Sequence, residues 1–96
     1  MPQHITAASF KSIEGELVQL KNDQIETEAR IIEVAKINKY ESQNRDPFSI
    51  LFLIENQSVF SQQTCTFSHH SMEDFDIFIV PIGQDEKGTR YEAIFN

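Results

Sequence analysis

The sequence predicts a small, mainly β protein: one antiparallel β-barrel, or a strongly curled sheet, of about six strands. Three observations predict it. The chain has 96 residues, which is one domain spanning 1–96. Its apolar residues fall in short runs that alternate or are bounded by turn signals. Those turn signals recur at close intervals, and short connections favour antiparallel pairing. Closure suits so few strands, because it removes exposed edges.

The elements follow in chain order. Thr6 to Ser12 predicts a short helical turn, with Thr6 as its cap and Phe10 packing inward. Glu16 to Lys21 alternates weakly and reads as a strand, ended by Asn22-Asp23. Gln24 to Tyr40 is the ambiguous piece. Its residues favour helix. Yet at about 100° per residue Ile25, Ala29 and Ile32 fall on one side of the wheel and Val34 opposite, so no apolar stripe forms. As a strand, Ile25, Thr27, Ala29 and Ile31 share one face, and the pattern then shifts to Ile32 and Val34 as a β-bulge would make it do. The preferred reading is a long, bent strand, with a helix as the alternative.

A second turn is expected across Ser42 to Pro47. Ile50 to Ile54 is apolar on both faces and reads as a central strand covered on both sides. Glu55 to Ser58 is a third turn, and Thr64 to Phe67 is rich in β-formers. From Phe75 to Val80, Phe75, Ile77 and Ile79 point one way, while Asp76, Phe78 and Val80 point the other. Pro81 ends that strand or places it at an edge, and Gly83 is read as allowing the fourth turn, within Pro81 to Gly88. The last strand then returns with Tyr91, Ala93 and Phe95 on one face and in the core, so C-terminal trimming is expected to be poorly tolerated. At this length a Phe-rich interior is expected to be filled by side chains rather than to leave a ligand cavity.

Composition excludes several functions. The formal net charge is −7. From Ser49 onward the only cations are Lys87 and Arg90, against seven carboxylates. Phosphate backbones and anionic membrane surfaces need the opposite sign. The cations of the first half are interleaved with acids, which is a mixed solvated face. The longest apolar run, Ile50 to Ile54, is far short of the ~20 residues that span a bilayer. The first residues show neither a basic nor an apolar signal region, so a cytoplasmic location is expected. A single cysteine, Cys65, fits a reducing compartment and reads as a small buried apolar residue.

No catalytic, cofactor-binding or metal-binding residue is assigned, and no cofactor is expected. Gly-rich phosphate loops, nucleophile elbows and zinc-type spacings are absent from the sequence. One constellation carries an alternative. His69-His70, followed by Glu73, Asp74 and Asp76, could rim a small-ligand, metal or hydrolytic site. Against it, adjacent strand residues face opposite ways, and a polar turn is expected there. His4 is expected to be exposed.

The second half carries a resemblance. Asp46-Pro47-Phe48-Ser49-Ile50-Leu51-Phe52, then Gln62 and His69, then Ile77-Phe78-Ile79-Val80-Pro81-Ile82-Gly83 and Tyr91-Glu92-Ala93-Ile94-Phe95-Asn96, resemble a family of small bacterial proteins grouped as a domain of unknown function. Its pattern runs PFSLLF…Q…Y…H…LG…FLVPIG…YEAVFN. Cys65 stands where that pattern has Tyr, and Glu73 where it has Gly, so the turn before Phe75 is expected not to need positive φ. The resemblance implies no catalytic residues. It implies an accessory role, through an association with phage-tail-collar-like loci. The resulting expectation is a non-enzymatic interaction or structural module. It would bind a protein partner or a second copy of itself through exposed strand edges, without nucleic acid or membrane.

Overall fold

The first element is the one with the clearest local cause. Thr6 is extended, and its hydroxyl accepts the Ser9 N–H, capping α1 (Ala7–Lys11). The computed structural model describes residues 6–37, 47–55 and 60–95, and the expected turns at Ser42–Pro47 and Glu55–Ser58 fall largely outside them, as does His4. Six strands follow α1: β1 (Leu17–Lys21), β2 (Glu26–Lys36), β3 (Phe48–Ile54), β4 (Gln63–His69), β5 (Met72–Asp85) and β6 (Gly88–Phe95). They close into a barrel in the order β1-β2-β3-β6-β5-β4, and every pairing is antiparallel. The predicted mainly β, barrel-like fold is therefore observed.

Alternation decides what fills the interior. Ala29, Ile31, Val34, Phe48, Ile50, Phe52, Ile54, Cys65, Phe67, Phe75, Ile77, Ile79, Tyr91 and Ala93 are all buried and belong to one core. Phe10 is fully buried, and its ring meets those of Phe48, Phe67, Phe75 and Phe95 at 5.4–5.9 Å. Those four rings stand near the ends of β3, β4, β5 and β6 that share one mouth of the barrel, so α1 plugs that mouth. At the far mouth Tyr91 is fully buried, stacks on Phe60 at 6.3 Å and accepts the Phe60 N–H at 2.8 Å.

Small barrels need bends, and bulges supply them. On β2 the register with β3 skips Ile32, which is the position where the apolar pattern changes phase. The bent-strand reading of this segment is the observed one for its described part, and residues 38–40 lie outside it. On β5 one extra residue enters between Phe75 and Met72, where Glu73 and Asp74 are successive exposed positions. A third bulge skips Ile82.

Two expectations about the end of β5 change. Pro81 does not end the strand: β5 continues to Asp85, and Pro81 pairs with Tyr91. The ladder with β4 stops at Ile79, so Pro81 has β6 alone as its neighbour and its missing N–H interrupts no ladder with β4. Gly83 is not the turn glycine. It pairs with Arg90 within the ladder. The turn is made by Glu86 and Lys87 and closed by Gly88 at φ +143°. A Cβ at Gly88 would stand 2.2 Å from the Ile54 carbonyl oxygen, so close backbone approach, as well as φ, demands glycine there. For Ile50 to Ile54 the expectation of cover on both sides holds in part: Ile50, Phe52 and Ile54 face the core, and on the outer face Leu53 is buried while Leu51 is half-buried.

Candidate functional site

The histidines are the natural starting point. His69 ends β4, and His70 and Ser71 form the turn into β5. The two rings stack at 4.3 Å, which alternation along a strand had argued against, because His70 has already left the strand. The His69 ring is only 3% exposed. Its Nε2 lies 2.8 Å from Glu16 Oε1, and its Nδ1 accepts both the Ser71 N–H at 3.1 Å and the Ser71 hydroxyl at 2.8 Å. Because a backbone N–H can only donate, Nδ1 is an acceptor and the ring proton sits on Nε2, facing the carboxylate.

That polarity resembles a hydroxyl–imidazole–carboxylate relay. Here, however, the Nδ1 lone pair already serves the turn's own backbone N–H, and the hydroxyl belongs to the same turn. The arrangement ties the hairpin to the segment before β1. Glu73 and Asp74, which the alternative reading would have set beside the histidines, are exposed in the β5 bulge. Among the described residues no three His, Cys, Asp or Glu side chains group to hold a metal. Glu16, the actual partner, lies 53 residues away in sequence, and no local pattern marked it.

Cys65 faces the interior. Burial first, and the Asp76 carboxylate second, push its thiol from an ordinary 9.0 up to about 11. This is an inert setting for a thiol.

Two open grooves mark the described surface. One, of about 700 Å³, runs beside the β2 bulge between Lys11, Glu14, Arg30 and Leu51. Its groups serve the fold: Glu14 Oε2 accepts the Val34 N–H at 2.8 Å, and Arg30 donates to the Gly15 carbonyl at 2.7 Å. β1 has ended there, so the Glu14 carboxylate takes up a donor that a strand would otherwise meet.

The second groove, of about 420 Å³, lies between the β1–β2 turn and the outer face of β4 and β5. Asn22 builds it. Its Oδ1 accepts the Gln24 and Ile25 N–H groups at 2.7 and 2.9 Å, and its amide donates to Gln63 Oε1 and the Thr64 carbonyl at 2.6 and 3.0 Å. Two carboxylates, Asp23 and Asp76, line the groove, and Asp76 accepts the Thr66 hydroxyl at 3.0 Å.

Beside this groove the outer wall turns apolar. Phe78 is directly opposite Thr64 and is 51% exposed. Val80 pairs with Glu92 at the end of the β5–β6 ladder, and Ile94, which pairs with Ser49 of β3, is 55% exposed. Ile82, pushed out by its bulge, is 52% exposed. Three of the four large apolar side chains exposed among the described residues therefore sit on β5 and β6. The sequence had placed Phe78 on the face opposite the core without giving it a role.

A family model described as Domain of unknown function (DUF6916) matches residues 5–95. The chain belongs to this family. No curated protein and no solved structure matches it. The DUF6916 match also covers the first half of the chain, beyond the second-half residues that carry the resemblance. In DUF6916 terms, the His69 tie, the Asn22 groove and the Phe78 wall all lie inside the matched span. No described helix is long and apolar enough to cross a membrane.

Proposed function

We propose that this protein is a non-enzymatic interaction module that docks a protein partner through the outer wall of β5 and β6. The observation that carries this reading is the wall itself. Phe78 and Ile82 on β5 and Ile94 on β6 are each more than half exposed, and β5 and β6 are neighbours in the barrel. Apolar side chains grouped on a stiff sheet are the usual material of an interface core. The expected docking mode shifts with the fold. In the closed order each strand has two neighbours, although from Val80 to Asp85 β5 pairs with β6 alone, and the exposed apolar side chains favour a face rather than that edge as the docking surface. The association with phage-tail-collar-like loci, implied by the family resemblance, would make the partner another component of such an assembly.

Site-specific photocrosslinking in the native host tests the reading. A photoreactive residue at Phe78 is expected to give a discrete adduct, while one at the exposed Glu28 of β2 gives none. Adducts of equal yield at both positions, or none at Phe78, would refute it.

A further inference from the structure

We infer that the partner surface is basic, with a cationic side chain entering the groove between the β1–β2 turn and β4–β5 while its apolar neighbours rest on Phe78. The inference rests on the docking reading and adds the chemistry of the occupant. Phe78 and Asp76 are successive outward positions of β5, opposite Thr64 and Thr66. The groove beside them is lined by Asp23 and Asp76 and by neutral polar side chains, with no cation among its lining residues. Among the described residues Lys21 is a nearby counter-charge, in register with Thr66 and facing Glu26 across β1–β2. The three carboxylates Asp23, Glu26 and Asp76 thus outnumber it.

Further along the wall Glu92 stands between Leu51 and Val80, with no ion pair among the described residues. Arg90, the cation nearest to it on β6, is engaged by Asp85. An exposed aromatic face beside carboxylates in excess over cations is complementary to a guanidinium, which can lie over the ring and donate to the carboxylates. The same charges argue against a second copy of this chain as occupant. Two chains of net charge −7 would bring like charge against like across the wall.

The test is a titration followed by amide NMR, using the capped peptide Arg-Leu-Arg-Leu-Arg and its Glu- and Ser-substituted counterparts. The expected result is that only the Arg peptide shifts resonances of Asp23, Thr66, Asp76 and Phe78. Its affinity is expected to fall about fivefold or more between low salt and 0.5 M salt. D76N, which keeps an oxygen for the Thr66 hydroxyl, should weaken binding about threefold, and F78S about tenfold, with both spectra otherwise retained.

Equal binding of all three peptides overturns the inference. So do shifts confined to other faces, unchanged affinity in both variants, or a self-dimer that F78S dissolves. A Phe78 crosslink to a partner whose contacting surface is acidic also overturns it, while the docking reading stands. A Phe78 without adducts, combined with Arg-specific shifts at Asp23 and Asp76, removes the docking reading and supports the charge preference of the groove.

Discussion

Gly88 shows how little room a single position can have. Its φ of +143° disfavours any side chain, and the Ile54 carbonyl occupies the place where a Cβ would go. Gly88→Ala is expected to destabilise the protein by on the order of 3 kcal/mol, read from the urea midpoint. Gly83→Ala has open space, ordinary φ and a strand setting, so it should be within about 0.5 kcal/mol of the parent. Equal effects of the two would contradict the assignment of the turn. Cys65 makes a different test. Burial pushes its thiol up to about 11, so the thiol stays protonated at pH 8. Iodoacetamide should therefore leave the native protein unmodified at that pH and label it fully in denaturant. Rapid native labelling would show Cys65 to be outside the core.

At the scale of elements, α1 acts as a stopper. Phe10 meets four aromatic rings, and none of those contacts is made by an isolated helix of five residues. Phe10→Ala should cost roughly 3–5 kcal/mol, because the ring is fully buried and the barrel mouth cannot collapse onto the void. Thr6→Ala should cost only about 1 kcal/mol through loss of the cap. The β4–β5 hairpin is tied by His69, so His69→Ala should lower stability by about 1–2 kcal/mol. It should also raise amide exchange at Ser71. The β5–β6 hairpin has its own lock. The Lys87 N–H, and then Arg90, hold the Asp85 carboxyl below its ordinary 3.8. A depressed carboxylate stabilises the fold above its unfolded value and loses that contribution as pH falls through the lower folded one. The contribution of Asp85 should therefore fade as pH falls below 3.8, and D85N should remove that acid-dependent step in a hairpin-resolved NMR titration.

For the whole molecule, closure is the decisive event. β1 and β4 share only three residue pairs, Gln19–Ser68, Leu20–Phe67 and Lys21–Thr66, yet that short seam converts a curled sheet into a barrel. Closure buries Leu20 and Phe67 together and hides the edges of both strands. It also carries the Asn22 turn onto the outer face of β4, which is how Asp23 comes to share a groove with Asp76. The groove and the seam are thus one event, and loosening the seam should loosen the groove. Leu20→Ala should cost about 2–5 kcal/mol and reduce binding of the Arg peptide more than an equally destabilising change at Ile50, which lies across the barrel on β3.

Sequence by itself determined the local geometry of this protein. Alternation at Phe75, Ile77 and Ile79 set a strand and its buried face. The phase slip at Ile32 set a bulge, because a period of two admits no other way to keep both Ile31 and Val34 inside. Thr6 and Phe10 set a capped, anchored helical turn. Tertiary structure alone decided the partners. That Glu16 meets His69, that Gly88 rather than Gly83 touches Ile54, and that Asp23 faces Asp76 all depend on segments distant in sequence being brought together. Periodicity reports which way a side chain points, and only the closure of the barrel determines what it points at.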